Sequence, residues 1–376
     1  MSLTYHEFIT FMHDNAIINR IPVHGTFSLT PRCNLQCSMC FICNPEVANE
    51  ELSGDQWLDI MKQARDAGMG FALLTGGEPL LHRDFWQIYT GLRKLGVYIT
   101  VNSNGTTITP EIADRFQKIP PVRFAISVYG ASPEAYEKVT GSAAGYEKLV
   151  RGLALLRERG IDFRLRTILS KDTAPDIVNI VNFILSYDVP FGYGNYLMPP
   201  VWENGNDPKS KRLSGQEIAE YTKIIRDAVH DYYKSRHIEC GCEHGGEHGE
   251  AAAQEEQPKD PKLMEFRIRA NKIVSKTAFN CNAGLSTFTV GHDGMLKICE
   301  IALDTLIDLK QIKFAEGFEQ LKAAVDAIKE CDECIGCPDK HKCAPCPPRH
   351  HLETGSYNKK ADYVCEYVRA GVKLME

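Results

Sequence analysis

The chain lacks the features that mark a secreted or membrane protein. Residues 1–19 contain no basic segment followed by an apolar one, and no hydrophobic run approaches the roughly 20 residues that span a bilayer. A basic excess is also absent, because the formal net charge is -6 at pH 7. This charge excludes a general nucleic-acid binder, which needs a positively charged surface. Together the absences predict a cytoplasmic protein with neither a membrane nor a nucleic acid as its partner.

Cysteine is absent between residues 44 and 239, although the whole chain has 14 cysteines in 376 residues. A disulfide framework is disfavoured, because such frameworks are typical of small secreted domains. In a reducing compartment, clustered cysteines more often bind metal or take part in redox chemistry. The cysteines on either side of the gap therefore predict two separate regions that carry metal clusters.

Short β-branched runs alternate with amphipathic stretches between about residues 24 and 200. This switching of the period between 2 and 3.6 is typical of βα units around a parallel sheet. Strands are predicted at 26–30, 71–75, 98–102, 123–128, 163–169 and 192–197, and helices at 55–67, 85–95, 111–117, 146–159 and 176–186. Functional sites of such folds lie at the carboxyl ends of the strands.

The domain organisation follows from shifts in composition. We predict an N-terminal arm at 1–23, a core domain at 24–213, a helical linker at 214–275 and a C-terminal domain at 276–376. Within the linker, the Gly-, Glu- and His-rich residues 238–259 are interpreted as a surface insertion, with a metal site as the alternative. The C-terminal domain has short elements and little core of its own, so clusters are expected to hold it together.

Cys33, Cys37 and Cys40 form a Cys-x3-Cys-x2-Cys loop directly after the first predicted strand. We call residues 33–40 the cysteine loop. Three thiolates so close together can hold three irons of a cubane cluster and leave the fourth iron without a protein ligand. An open iron is a place for a substrate, so this loop predicts chemistry rather than a structural role.

The Gly-Gly-Glu-Pro turn, residues 76–79, follows the second predicted strand. Two glycines let the backbone approach a ligand closely, and the adjacent carboxylate can accept hydrogen bonds from a ligand ammonium group. The same residues also suit an ordinary tight turn before a helix, with Pro79 near the first helical position. The presence of the cysteine loop favours the ligand-binding interpretation.

Residues 30–40 together with the Gly-Gly-Glu-Pro turn resemble the radical S-adenosylmethionine (SAM) superfamily, over roughly residues 24–200. The resemblance implies an α/β fold, a partial (β/α)6 TIM barrel, whose open iron chelates the amino and carboxylate groups of SAM. One electron from the cluster then cleaves SAM to a 5′-deoxyadenosyl radical, which abstracts hydrogen from a substrate. Met39 departs from the family pattern, which usually has an aromatic residue before the third cysteine.

The resemblance implies a role for each matching residue. The cluster ligands would be Cys33, Cys37 and Cys40, and the SAM-binding residues would be Gly76, Gly77, Glu78, Ser103, Asn104, Ser127 and Arg166. The two glycines and Glu78 would meet the amino group of SAM. Arg166 would meet its carboxylate, and the alternative for Arg166 is an ion pair on the exterior of the strand.

The second group of cysteines resembles the SPASM extension of radical SAM enzymes, over about residues 276–376. That extension holds two auxiliary 4Fe-4S clusters, so three clusters are implied in total. One auxiliary cluster would take Cys334, Cys337, Cys343 and Cys365. The other would take Cys281, Cys299 and Cys346.

Two departures from the SPASM pattern leave alternatives open. The spacing Cys343-x2-Cys346 is shorter by one residue than is usual, and an extra ligand often found before Cys281 is missing near Ser275. The cluster of Cys281 would then have an open iron or recruit another cysteine, for which the candidates are Cys331, Cys240 and Cys242. A competing interpretation is a zinc site formed by Cys331-x2-Cys334 and Cys343-x2-Cys346. Cys43 is predicted to be a buried thiol.

Glu300 directly follows Cys299 and is the candidate catalytic residue. In the sulfatase-maturase branch of the family, the residue after the matching cysteine is an Asp that acts as a base. A glutamate can perform the same proton transfer if it faces the cavity. The alternative is a solvated surface carboxylate.

The resemblance implies a radical SAM/SPASM enzyme that acts on a ribosomally synthesised peptide, by forming a thioether or another crosslink or by epimerisation. The alternatives are a formylglycine-forming maturase, a dehydrogenase or epimerase of a sugar or aminocyclitol, and a non-enzymatic electron carrier or scaffold. The Gly-Gly-Glu-Pro turn disfavours the last, because an electron carrier needs no amino-acid site. Expected partners are a flavodoxin or ferredoxin as electron donor and, because few residues precede Cys33, a separate protein that binds the leader peptide.

Overall fold

The computed structural model describes residues 4–42, 45–201, 206–236, 260–340, 343 and 345–375. It forms two compact units. The first comprises Met1–Arg32, Pro45–Ile99 and Ala253–Ala361, and the second comprises Cys33–Asn44, Thr100–Ala252 and Asp362–Glu376. The insertion predicted at 238–259, with Cys240 and Cys242, lies outside the described residues, as does Cys43. The domain boundaries proposed from the sequence stay predictions.

Strands and helices alternate along the first two thirds of the chain. The strands are β1 (His24–Ser28), β2 (Phe71–Thr75), β3 (Tyr98–Ser103), β4 (Arg123–Ser127), β5 (Phe163–Ile168), β6 (Phe191–Gly194), β7 (Thr287–Val290), β8 (Met295–Lys297) and β9 (Ile307–Asp308). The α-helices are α1 (Tyr5–Asn19), α2 (Gly54–Asp66), α3 (Phe85–Lys94), α4 (Pro110–Lys118), α5 (Pro133–Thr140), α6 (Ala143–Glu158), α7 (Ile177–Leu185), α8 (Gly215–Ser235), α9 (Pro261–Val274), α10 (Phe314–Ala327), α11 (Asp332–Ile335), α12 (Pro347–Thr354) and α13 (Asp362–Met375). The predicted α/β class with a parallel sheet is confirmed.

Local sequence signals explain where the helices begin and which face they bury. Ser53 caps α2 by accepting a hydrogen bond from the backbone N–H of Gln56, whose own side chain accepts from the N–H of Ser53. Trp57, Ile60 and Met61 then fall on one face of α2 and are buried. Within the described parts of the chain, none of the helices combines the length and apolar character needed to cross a bilayer.

The sheet of the first unit has the order β2-β1-β7-β8-β9. Strand β1 pairs in parallel with β2 on one side and with β7 on the other, while β8 and β9 continue in antiparallel pairs. Phe27 on β1 packs edge-to-face against Trp57 and Phe288, each at 5.9 Å between ring centroids. Phe288 also contacts Phe314 of α10 at 4.8 Å. The residues after 276 therefore share a hydrophobic core with β1 and α2, which the sequence analysis did not foresee.

The second unit is built on the parallel strands β3, β4, β5 and β6, which are neighbours in that order. Ser127, the last residue of β4, stands opposite Arg166 on β5. Helices α7 and α8 bury a shared apolar cluster that includes Val181 and Ile225, and Tyr363 of α13 packs against it. Ser103 and Ser127 are the last residues of β3 and β4, Asn104 follows β3 directly, and Arg166 lies near the end of β5. The predicted SAM-binding residues of this unit are thus at the carboxyl ends of its strands.

Candidate functional site

Within the second unit, backbone hydrogen bonds attach the cysteine loop to α5. The N–H of Gln36 donates to the carbonyl of Thr140 at 3.0 Å, and the N–H of Ser38 donates to the carbonyl of Val139 at 2.9 Å. Both acceptors lie at the carboxyl end of α5, where helix carbonyls have no partner inside the helix. Three thiols are thus presented from a fixed backbone.

Side chains hold the same loop from two further directions. The hydroxyl of Ser38 donates to the carboxylate of Asp172 at 2.7 Å, and the Lys211 ammonium lies 3.0 Å from that carboxylate. Burial alone would raise the pKa of Asp172, but the hydrogen bonds from Ser38 and Lys211 outweigh it and hold the pKa below its usual value. The amide of Asn206 donates to the carbonyl of Cys40 at 3.3 Å.

The three thiols of the cysteine loop lie close enough to affect one another electrostatically. Burial raises the pKa of Cys37, and the charges of Cys40 and Cys33 raise it further. Three thiolates at this place would repel one another, so an iron cluster that neutralises their charge suits the donor set. The residues present therefore fit the cluster that the resemblance implies.

Asn104 connects the predicted SAM-binding residues to the cysteine loop. Its side-chain amide donates to the side-chain Oδ1 of Asn34 at 2.9 Å, and the same nitrogen donates to the Sγ of Cys33 at 3.6 Å. The Oδ1 of Asn104 accepts from the backbone N–H of Thr106 at 2.9 Å, which fixes the amide. Hydrogen bonds to a ligating sulfur tune the potential of an iron–sulfur cluster. Ser103 also supports the turn, because its hydroxyl accepts from the N–H of Gly105 at 3.0 Å.

Arg166 lies on the face of β5 that looks toward the cysteine loop. Residues two apart on a strand share a face, so Arg166 is on the same side as Ile168. Ile168 packs on the small apolar cluster that contains Met39 of the loop, together with Tyr129. The Tyr129 hydroxyl is hydrogen-bonded to Ser127, and its pKa is raised by burial and then by the charge of Cys37. The structure thus brings Ser127 and Arg166 to the same side of the sheet as the loop.

The Gly-Gly-Glu-Pro turn lies in the first unit, at the carboxyl end of β2. Gly76 has φ +138°, and a Cβ at this position would lie 2.4 Å from the carbonyl oxygen of Thr30. The N–H of Gly77 donates to that same carbonyl at 2.7 Å, and the N–H of Glu78 donates to the carbonyl of Arg32 at 2.9 Å. Only glycine allows the backbone of residue 76 to approach residues 30–32 so closely.

Two carboxylates lie near this turn in the first unit. Glu78 is 0% exposed, and its carboxylate accepts from the backbone N–H of Leu80 at 3.3 Å. A carboxylate so deeply buried is stabilised by donors and cations, so a ligand ammonium group is a suitable partner. Glu51 forms a two-pronged ion pair with the Arg32 guanidinium, at 2.9 and 2.7 Å, and also accepts from the Thr30 hydroxyl.

Glu300, the candidate catalytic residue, is held at the end of β1. Its carboxylate accepts a hydrogen bond from the Ser28 hydroxyl at 2.8 Å, and Ser28 is the last residue of that strand. Sites of α/β barrels lie at such carboxyl ends. Glu300 is half-buried. Its position is therefore compatible with proton transfer, and its catalytic role stays a prediction.

The structure brings together the thiols of Cys281, Cys299 and Cys346. Burial and then the charge of Cys346 raise the pKa of Cys299 to about 12. Cys281 is exposed at the surface, but desolvation by the surrounding protein atoms still raises its pKa, and the charge of Cys346 raises it further. The Arg349 guanidinium opposes the rise at Cys281. These three residues are the set assigned by resemblance to one auxiliary cluster, and their metal ligation stays a prediction.

The remaining cysteines of the C-terminal region are arranged differently. Cys337 donates its backbone N–H to the carbonyl of Cys334 at 3.2 Å, and Cys343 donates to the carbonyl of Asp339 at 3.0 Å, so these three follow one another in successive turns. Cys365 belongs to α13 in the second unit. Cys331 and His350 both lie beside Cys334. The sequence analysis did not single out His350, which lies far from Cys331 and Cys334 along the chain.

The chain is similar to known proteins in both sequence and fold. Residues 27–184 match the sequence model of the Radical SAM superfamily. The AdoMet-dependent heme synthase of Methanosarcina barkeri is 23% identical over 357 residues, which cover 92% of this chain and 97% of that protein.

Solved structures share the fold over most of their length. SuiB of Streptococcus suis bound to precursor peptide SuiA superposes with a TM-score of 0.68 at 17% identity, covering 95% of this chain and 79% of that one. Native anSMEcpe with bound AdoMet and Cp18Cys peptide gives a TM-score of 0.66 at 18% identity, covering 94% and 97%. Residues 27–184, which match the Radical SAM superfamily, contain both the cysteine loop and the Gly-Gly-Glu-Pro turn, so this segment of the chain is a radical SAM domain.

Proposed function

We propose that the chain is a radical SAM enzyme with a SPASM extension that modifies a ribosomally synthesised peptide, by a thioether or other crosslink or by epimerisation. The observation that carries the proposal is the group of three thiols at Cys281, Cys299 and Cys346. A cubane held by three thiolates has one iron open to a further ligand. A cysteine of a peptide substrate would be a fitting ligand there. Two enzymes with the same fold, SuiB and anSMEcpe, have each been seen with a bound peptide.

The proposed reaction starts at the cysteine loop, whose thiolates Cys33, Cys37 and Cys40 hold the first 4Fe-4S cluster. When bound, this cluster and SAM supply the 5′-deoxyadenosyl radical that abstracts hydrogen. The Gly-Gly-Glu-Pro turn meets the amino group of SAM, with buried Glu78 as the counter-charge. Arg166 binds the SAM carboxylate.

The polar side chains around the cysteine loop complete this proposal for SAM binding. Ser103, Asn104 and Ser127 bind the ribose and methionine ends of SAM. Asn104 also donates to Cys33, which stabilises the thiolate. Ser127 is also hydrogen-bonded to the Tyr129 hydroxyl, and this bond holds the Tyr129 side chain beside Cys37.

Proton transfer in the proposed reaction is assigned to Glu300. The Ser28 hydroxyl holds this carboxylate at the end of β1, at 2.8 Å. A positioned carboxylate within reach of a substrate thiol or amide can accept the proton released when a crosslink forms. The electrons left over would pass through the auxiliary clusters to an acceptor. A flavodoxin or ferredoxin is the proposed electron donor, and a separate protein would bind the leader peptide.

A second candidate substrate is a heme precursor. It is favoured by one observation, the match to the Methanosarcina barkeri heme synthase along 97% of that protein. The two candidates share the first cluster and SAM and differ in what meets the auxiliary clusters. A heme precursor offers no thiol for an open iron.

The experiment reconstitutes the clusters anaerobically and supplies SAM, dithionite and one candidate substrate at a time. We expect 5′-deoxyadenosine from wild type and none from Cys33→Ala. With a small cysteine-containing peptide encoded beside the gene, mass spectrometry in D2O should find a product lighter by two hydrogens for a crosslink, or a product that has gained one deuterium for an epimerisation. Cys281→Ala should abolish this product while leaving SAM cleavage. If the enzyme converts a heme precursor and leaves the peptide unmodified, the peptide proposal is wrong and the heme precursor is the substrate. Absence of 5′-deoxyadenosine from wild type would contradict both.

A further inference from the structure

An aromatic side chain packs beside the cysteine loop, just beyond the end of β4. Met39 of the loop is buried with Val139 and Leu197 in a small apolar cluster, and both Tyr129 and Cys37 pack against this cluster. Met39 is 6% exposed, whereas Tyr129 is only half-buried, so part of the tyrosine remains accessible. The reaction proposed for this chain leaves the ring of Tyr129 without a role.

Tyr129 lies on the face of the sheet that carries Ser127. Side chains two apart on a strand share a face, and the intervening Val128 is 0% exposed and belongs to the core. The N–H of Val128 donates to the carbonyl of Arg166 at 2.8 Å, so the pairing with β5 extends one residue beyond β4. The Cα of Tyr129 is therefore about 7 Å beyond that of Ser127, on the side of the sheet that faces the cysteine loop.

Two contacts fix the Tyr129 side chain and the backbone next to it. The Tyr129 hydroxyl is hydrogen-bonded to Ser127. The following residue, Gly130, runs so close to α5 that a Cβ there would lie 2.4 Å from the backbone nitrogen of Tyr136. The other end of α5 supplies the two carbonyls that hold the cysteine loop. One helix thus positions both the tyrosine ring and the loop.

The apolar surroundings of this ring suit the adenine of SAM better than the other parts of that molecule. The amino, carboxylate, sulfonium and ribose groups of SAM are charged or hydroxylated, and their burial needs polar partners. Adenine instead offers a flat π face, on which aromatic side chains stack. Ile168 of β5 packs against the same apolar cluster as Tyr129, so two neighbouring strands contribute to an apolar wall. Ser127, which is proposed to bind the ribose or methionine end of SAM, lies directly beside this wall.

We propose that Tyr129 binds the adenine ring of SAM and takes the place of the aromatic residue that position 39 lacks. This inference rests on the proposed binding of SAM. The superfamily pattern usually has an aromatic side chain before the third cysteine, where this chain has Met39. The flexible thioether of Met39 belongs to the cluster against which Tyr129 packs, and methionine adapts its shape to a neighbouring ring.

The test measures the dissociation constant of SAM by anaerobic equilibrium dialysis, with the full-length protein after cluster reconstitution and without reductant. Loss of base–aromatic stacking in Tyr129→Leu should weaken SAM binding about 5- to 150-fold. Tyr129→Phe keeps the ring and loses only the hydroxyl bonded to Ser127, so its dissociation constant should stay within about 3-fold of wild type. Equal SAM affinity of Tyr129→Leu and wild type would overturn the proposal.

A ring restored at position 39 provides a rescue experiment. Met39→Phe in the Tyr129→Leu background should bring the dissociation constant of SAM back to within about 5-fold of wild type. Met39→Phe alone should not tighten binding, because Tyr129 already fills the neighbouring volume. Additive losses of affinity from the two changes would contradict the proposal. Iron per chain is measured for each variant, and loss of iron from Tyr129→Leu would assign the ring to the cluster instead of SAM.

Tyr187→Leu is the matched control, because it removes another half-buried tyrosine ring from the second unit. Tyr187 packs on Phe183 at 5.2 Å between ring centroids, and neither residue is part of the apolar cluster of Met39. Urea unfolding of the cluster-free protein should show comparable losses of stability for Tyr187→Leu and Tyr129→Leu, while only Tyr129→Leu loses SAM affinity. If Tyr187→Leu weakens SAM binding equally, the assignment is wrong.

The wild type distinguishes failure of this inference from failure of the proposed function. A wild type that neither binds nor cleaves SAM contradicts the proposed function and this inference together. A wild type that binds and cleaves SAM, with Tyr129→Leu unchanged in affinity, contradicts the role of Tyr129 alone.

Discussion

Replacing Gly76 by alanine tests the close approach at the Gly-Gly-Glu-Pro turn. A Cβ there would lie 2.4 Å from the carbonyl oxygen of Thr30, and φ is +138°. The dihedral strain alone costs about 1–3 kcal/mol. Moving the turn to relieve the contact also weakens the hydrogen bond from the Gly77 N–H to Thr30, worth about 1 kcal/mol. We therefore expect Gly76→Ala to lower the free energy of unfolding by about 2–4 kcal/mol and to abolish SAM cleavage.

Two other glycines of the same unit separate the strain from the steric contact. Gly96 has φ +74° with nothing within 4 Å of an added Cβ, so Gly96→Ala should cost about 1–2 kcal/mol from strain alone. Gly70 also has open space around it and no positive φ, so Gly70→Ala should stay within about 1 kcal/mol of wild type. Anaerobic urea unfolding can be followed by the fluorescence of Trp57, which is fully buried in this unit. Equal losses for Gly76→Ala and Gly96→Ala would refute the reasoning.

Three further predictions concern the cysteine loop and the candidate base. Asn104→Ala removes the amide that donates to the Cys33 sulfur, so the midpoint potential of the first cluster should fall by tens of mV in an EPR-monitored titration; an unchanged potential would contradict this. Glu300→Gln should leave 5′-deoxyadenosine formation intact but slow product formation about 10²- to 10⁴-fold, and equal slowing of both would remove Glu300 from the catalytic role. Asp172→Asn should lower the free energy of unfolding of the cluster-free protein by about 1 kcal/mol at pH 7. The folded-state pKa of Asp172 is lowered, so its contribution to the free energy of unfolding is present above the unfolded pKa of about 3.9 and is lost as pH falls through the folded value. Below pH 4, the difference in urea midpoint between wild type and Asp172→Asn should therefore become smaller.

Strand positions could be predicted where local composition and sheet pairing agree. Phe71–Thr75 has the predicted bounds, because a short apolar run is flanked there by glycines. The first strand was expected at 26–30 but spans His24–Ser28. His24 and Gly25 have poor strand propensity, yet both pair with β2 and β7, so tertiary pairing decides the start.

The candidate site was predictable only where its residues are close in sequence. The cysteine loop and the Gly-Gly-Glu-Pro turn carry their chemistry in short contiguous motifs. His350 could not be linked to Cys331 and Cys334 in this way, because folding of α11 and α12 brings them together. The hydrogen bond between Ser28 and Glu300 likewise joins residues far apart in sequence.

The place of β1 between β2 and β7 has a consequence for how the protein is made. Residues 24–27 pair with residues 287–290, so one side of the first strand stays unpaired on the ribosome until most of the chain has been synthesised. An unpaired strand edge is a template for aggregation, and closing so long a loop is slow. We expect fragments that end before β7 to aggregate during synthesis. Chaperone demand and slow expression would then follow from the sheet order itself, before any cluster is inserted.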